Sequence, residues 1–136
     1  MERVDSFWRA QLVLTSWRYA NQYGGHLPVL MVAQTFRNRL TKGVGGSWKE
    51  IFENAHKYSA TIEQPGGFPD TYDKNFIKIL SEIDPIYEGT AKDIVEGAIF
   101  FGDTTNITNN WFLENISRNT ANHNRTANTS TLTFWD

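Results

Sequence analysis

The sequence predicts a mainly α fold, with one compact helical domain followed by a polar, extended C-terminal arm. Three observations predict it. Apolar residues recur at helical spacing through five segments before Asp103. Capping residues, glycines and prolines punctuate those segments, and afterwards the composition turns to asparagine and threonine. A length of 136 residues suits one compact unit, on the usual scale of about 100–200 residues per domain. The helical domain is expected over residues 1–116 and the arm over 117–136.

The first helix is read from Asp5 to about Gln22, where Phe7, Ala10, Leu14 and Trp17 form a stripe that Trp8, Leu12, Tyr19 and Ala20 widen. It closes at Tyr23-Gly24-Gly25, where glycine accepts a left-handed conformation. Pro28 suits the first turn of a second helix, because its missing N–H has no intrahelical partner there. Val29, Val32, Ala33, Phe36 and Leu40 follow with period 3.6, the best core candidate in the chain, and the segment ends at Lys42-Gly43. Ser47-Trp48-Lys49-Glu50 has the spacing of a capping box, which starts a third helix carrying Ile51, Phe52 and Ala55 inward.

Residues 62–72 contain Pro65-Gly66-Gly67 and Pro69-Asp70, a long loop of the kind that often carries function. Asp73 is read as the cap of a fourth helix with Phe76, Ile77, Leu80 and Ile83 on its buried side, ending before Pro85. Asp93 is read as the cap of a fifth, running to about Phe101 with Ile94, Ala98 and Phe101 packed. Eight asparagines stand between Asn106 and Asn128. A short packed segment anchored by Ile107, Trp111, Phe112, Leu113 and Ile116 is therefore expected to give way to a loose loop. Thr131-Leu132-Thr133-Phe134-Trp135 alternates well enough for a terminal strand or an extended docking segment.

Composition excludes several classes of function. Without cysteine there is neither a disulfide nor a thiolate metal site. His26, His56 and His123 share no spacing suited to a metal, so no metal and no cofactor is expected. Thirteen basic residues against fifteen acidic ones, a net charge of −2, lack the excess that neutralising phosphates requires. Nucleic acid is not expected as the principal partner. No run approaches the ~20 apolar residues that cross a bilayer, and Met1-Glu2-Arg3-Val4-Asp5 carries charges where a signal peptide is apolar. Synthesis in a host cytoplasm without membrane insertion is the expectation.

Few residues stand out as chemical candidates, and each has a plainer reading. Glu96 could be an acid near the Gly97-Ala98 turn, or the capping-box partner of Asp93. Asp103 could be a partly buried carboxyl, or part of an ordinary Gly102-Asp103-Thr104 turn. Glu63 and Asp70 flank the long loop, where solvated charge is the default. Trp17, Tyr19, Trp48, Tyr58 and Tyr72 could stack on sugar rings, although core packing is the leading reading at helical positions. Trp111, Phe134 and Trp135 lie in the polar third and need something to pack against, either the chain's own core or a partner protein.

The order of several motifs resembles the SleB-like cell-wall hydrolases, including phage-associated members, over roughly residues 10–116. The motifs are Val32-Ala33 followed by Asn38-Arg39, then Tyr58-Ser59, then Asp93 followed by Gly97-Ala98-Ile99-Phe100-Phe101. The resemblance implies an α+β, lysozyme-like fold and activity on the glycan strand of peptidoglycan through one glutamate. That acid must protonate the glycosidic oxygen, which needs a carboxyl with a raised pKa. The matching position here is Tyr19, or Ala20 if the alignment slides, and no glutamate follows Glu2 in the first helix. Thr133 stands where the family has a histidine before its terminal aromatic pair.

The resemblance therefore implies a hydrolase-like phage protein without its acid, kept as a virion component or as a peptidoglycan-binding protein. Arg18, Tyr19, Asn38, Arg39 and Tyr58 would line the former cleft and bind glycan, while Trp111, Phe134 and Trp135 would dock neighbouring virion subunits. Two alternatives stand beside it. One is an active glycosidase or lytic transglycosylase using Glu96 or Asp103; the other is a purely structural particle protein.

Overall fold

The computed structural model describes residues 5–23, 25–60, 73–104, 110–129 and 132–136. The loop candidates Glu63, Asp70 and Tyr72, together with Ile107 and Thr131, lie outside the described residues. The fold is mainly α with one small sheet. Helix α1 (Asp5–Ala20) runs into a 3-10 turn (Asn21–Tyr23), and α2 (His26–Thr41) follows. Val29, Val32, Ala33 and Phe36 on α2 are wholly buried, because this helix packs against both α1 and α4 and lies at the centre of the molecule. The buried side of α1 is Leu12, Val13, Ser16, Trp17, Tyr19 and Ala20, a stripe rotated from the expected one, which leaves Ala10 exposed.

Short helix α3 (Trp48–Glu53) begins as its sequence predicts. Ser47 Oγ accepts from the Glu50 N–H at 3.3 Å, whereas the Glu50 carboxylate reaches back to the Gly46 N–H at 2.9 Å rather than to that of Ser47. Trp48 is stacked between Phe52 and Tyr87, with ring centroids 5.5 and 5.2 Å away. A 3-10 turn (Ala55–Tyr58) leads into strand β1 (Ser59–Ala60).

Asp73 caps α4 (Lys74–Glu88) by accepting from the Asn75 and Phe76 N–H groups at 2.8 and 3.1 Å. Two expectations for this helix are corrected. The buried residues are Ile79, Ile83, Ile86 and Tyr87, while Ile77 and Leu80 stay 51% and 48% exposed. Pro85 does not end the helix but sits in its last turn, where its carbonyl takes the Thr90 and Ala91 N–H groups. Gly89, at φ +79°, supplies the left-handed stop that Pro85 was expected to impose.

The expected fifth helix from Asp93 is absent. The Asp93 carboxylate accepts from the Val95 N–H at 2.9 Å and the Gly97 N–H at 2.8 Å, closing a turn instead of opening a helix. Glu96 and Gly97 have φ of 50° and 86°, values no right-handed helix can propagate. Glu96 is therefore an exposed turn residue, not a capping-box partner. The Ile99-Phe100-Phe101 run, rich in β-formers, is drawn into strand β2 (Phe100–Asp103).

A short helix α5 (Asn110–Phe112) continues as a π-helical turn (Leu113–Ser117). The chain closes with strands β3 (Arg125–Asn128) and β4 (Leu132–Trp135). The sheet order is β1-β2-β4-β3, with β1 parallel to β2 and the other pairs antiparallel. The end of the polar arm is thus a central strand, buried at all four positions.

Directly paired residues share a face, so the register sorts the aromatics. Phe101 pairs with Phe134 and faces the helices, whereas Phe100 pairs with Trp135 and faces outward onto Phe112 and Ile116. The sheet divides a large helical core from a small outer cluster. Among the described residues no helix is long and apolar enough to cross a membrane.

Phe36 touches the rings of Tyr19, Phe52 and Phe101 at 5.8–6.0 Å. Its truncation, Phe36→Ala, is expected to cost about 3–5 kcal/mol, read as a lower midpoint in urea denaturation at unchanged slope.

Candidate functional site

The residues expected to line a cleft do not meet at one. Tyr19 is 5% exposed and packs edge-on against Phe36 and Phe101, so its ring fills the interior. Trp17 and Trp48 are core residues as well. Arg18 is half-buried in the last turn of α1 and engaged by neighbouring groups. Asn38 donates to the Asp93 carboxylate at 3.1 Å and to the Ala98 carbonyl at 3.0 Å, which fastens α2 to the 93–98 turn.

Arg39, 1% exposed, is the largest wholly buried side chain among the described residues. It donates to the carbonyls of Ile99 (2.6 Å), Tyr58 (2.9 Å) and Ala55 (3.3 Å), and to the Ser59 hydroxyl (3.2 Å). Its guanidinium lies 5.0–5.7 Å from the ring centroids of Phe36, Phe101 and Tyr58. Burial pushes its pKa down to about 9, leaving it charged at neutral pH. These are bracing contacts inside the fold, so Tyr19, Asn38 and Arg39 cannot touch a glycan.

Of the expected glycan-binding set, Tyr58 borders an open groove. The groove has a volume of about 370 Å³ and is lined by His56, Lys57, Tyr58 and Trp111. Trp111 is 50% exposed. Tyr58 is held from below by Arg39 and from the side by Phe100, whose ring centroid is 5.7 Å away. An aromatic pair beside a lysine offers apolar ring faces with one cationic donor at the rim. Of the residues expected to dock a partner, Trp111 has a free face. Phe134 and Trp135 are spent on the chain's own two cores and present none.

A second groove, of about 300 Å³, is lined by Thr104, Ser117, Thr120, His123, Arg125, Thr133 and Trp135. Of the residues lining the two grooves, sequence reasoning singled out Tyr58, Trp111 and Trp135 as site residues and missed the others. The face of the sheet depends on register, and the covering segment has no periodic pattern of its own.

Neither acid candidate lines a described groove. Glu96 stands on the 94–97 turn beside Gly97, whose carbonyl accepts from Lys42 Nζ. Asp103 pairs with Leu132, which places it on the helical face of the sheet, and it accepts from the Tyr23 hydroxyl at 3.2 Å. Burial first, then the charge of Asp103, pushes the Tyr23 phenol up to about 12. Among the described residues no three His, Asp or Glu side chains stand together as a metal site. No family model, curated protein or solved structure matches this chain.

Two outcomes are expected from this geometry. Arg39→Met removes the shared donor of three carbonyls and a hydroxyl and is expected to cost about 3 kcal/mol or more, measured by urea denaturation. Arg39→Lys keeps the charge, yet one ammonium cannot span the four acceptors, so it falls in between. The second outcome concerns Tyr23, whose pKa is raised in the folded state. The stability it lends is whole below pH 10 and is lost as the pH rises toward 12. Spectrophotometric titration is expected to show Tyr23 ionising late, as Tyr87 also does through burial and Asp5, and Asp103→Asn is expected to bring Tyr23 earlier while leaving Tyr87 in place.

Proposed function

We propose that this protein is a non-catalytic binder of peptidoglycan glycan strands, derived from a cell-wall hydrolase that has lost its acid and carried within a phage particle. The observation that carries the reading is the Tyr58–Trp111 groove. Pyranose rings expose C–H faces that pack on aromatic rings, and Lys57 at the rim can donate to ring substituents or meet a stem carboxylate. The loss of the acid is supported at Tyr19. The position that the family resemblance gives to the glutamate holds a ring sealed between Phe36 and Phe101, where no substrate oxygen can reach it. Placement in a phage particle comes from the resemblance to phage-associated hydrolases alone.

The test is co-sedimentation of the purified protein with sacculi, followed by mass spectrometry of the soluble fraction. Binding without release of muropeptides is expected, and Trp111→Ala and Tyr58→Ala are each expected to weaken it about tenfold, or ~1.4 kcal/mol. Release of anhydro or reducing-end fragments that stops in Glu96→Gln or Asp103→Asn would make the protein an enzyme. Absence of co-sedimentation would leave a purely structural particle protein.

A further inference from the structure

The second groove carries an inference that does not need the glycan reading. It lies on the outer face of the sheet, between Thr133 and Trp135 of β4, Arg125 of β3, and the covering segment that contributes Ser117, Thr120 and His123. Its volume of about 300 Å³ is at the small end of ligand pockets, which run from roughly 300 to 1,000 Å³. Four of its seven lining residues carry hydroxyls, one carries a guanidinium, and none is acidic.

Arg125 reaches this face through a defect in the strand pairing. Ala127 pairs with Phe134 and Arg125 with Trp135, so two steps along β3 answer one step along β4. Thr126 is the extra residue of a β-bulge. Without it Thr126 would face Trp135, and Arg125 would turn to the helical side one position further on. Bulges recur where a side chain has to be re-aimed, and this one delivers a cation to a hydroxyl-lined pocket. No carboxylate among the described residues pairs with that cation.

His123 sharpens the chemistry. Its Nδ1 is 2.9 Å from the backbone carbonyl of Asp136, which can only accept, so Nδ1 carries the proton. In the neutral ring Nε2 is then an acceptor, suited to a ligand hydroxyl. The Asp136 backbone is itself fixed, since its N–H donates to the Asn124 carbonyl at 3.0 Å and its side chain accepts from the Asn124 N–H at 2.8 Å. The groove thus combines a forked cation for an oxyanion with hydroxyls and an imidazole acceptor for polar substituents.

We infer that this groove binds a small hydroxylated ligand bearing an oxyanion, a carboxylated or phosphorylated sugar, with Arg125 as the residue that selects the anion. The test is a nitrogen-edited NMR titration of the whole protein with D-glucuronate, glucose 6-phosphate and neutral D-glucose, in wild type and Arg125→Gln. Arg125 is exposed, so its replacement leaves the packing intact.

The amides of Ser117, Thr120 and Arg125 are expected to shift together with one or both anionic sugars, and Arg125→Gln is expected to weaken that binding about tenfold or more. A response to glucuronate alone identifies a carboxylate ligand, and a response to the phosphate ester alone a phosphorylated one; either supports the inference. Equal response to glucose, an unchanged affinity in Arg125→Gln, or no response to any of the three overturns it. Sacculus binding is read separately, so failure of the glycan reading and failure of this one are distinguishable.

Discussion

The Arg39 guanidinium is held inside this protein by backbone carbonyls and aromatic faces, and three parts of the chain take their relative positions from it. Removing a cation from water costs several kcal/mol even after relaxation. Here the offset comes from four charge-assisted hydrogen bonds, each worth about 1.5–3 kcal/mol, and from three rings that together supply ~2 kcal/mol or more. The balance closes only if every acceptor stays in place. Helix α2 is thereby locked to the Ala55–Ser59 segment and to Ile99 at the entry to β2. Tyr58 owes its place at the groove to a charge that no ligand can touch.

Asn38, one residue earlier on the same helix, extends the lock to the 93–98 turn through Asp93 and Ala98. Across that turn a would-be helix gives way to strand β2: the Asp93 carboxylate takes the N–H groups of Val95 and Gly97, and Glu96 and Gly97 are left-handed. Once β2 exists, alternation settles the remainder. Phe101 and Phe134 go to the helices, and Phe100 and Trp135 to the outer cluster. The same alternation sends Asp103 to the helical side with Tyr23, away from the grooves that Trp135, Thr133 and Arg125 border.

The helices were legible in the sequence where a local signal fixed them. The period of Val29, Val32, Ala33 and Phe36, the Ser47 cap and the Asp73 cap each appear in the fold. Misreadings arose where a distant partner outweighed a local preference. Asp93 has the chemistry of a helix cap, and only pairing of Ile99-Phe100-Phe101 with β4 makes it a turn. Pro85 fits a final helical turn because Gly89 closes the helix behind it. The site was less legible than the fold. Tyr58 and Trp111 stood out as aromatics, but their meeting requires the covering segment to fold over the sheet. Arg125 had no signal in the sequence at all, since a bulge is invisible until register is known.

The two grooves share one support, and it is a slight one. The segment that covers the outer face buries Phe112 and Ile116 against Phe100 and Trp135, whereas the helical side of the sheet meets a core many times larger. At about 1.5–3 kcal/mol for each fully buried apolar side chain, those two anchors hold the covering segment far less firmly than α2 is held. A π-helical turn at Leu113–Ser117 adds a backbone geometry that is rare overall and frequent at functional sites. Trp111 on one side, and Ser117 and Thr120 on the other, therefore ride on the least firmly held described part of the outer face. A rigid wall of Tyr58, Thr133 and Trp135 faced by a softer one is an arrangement in which a ligand tightens the fold by the same contacts that bind it.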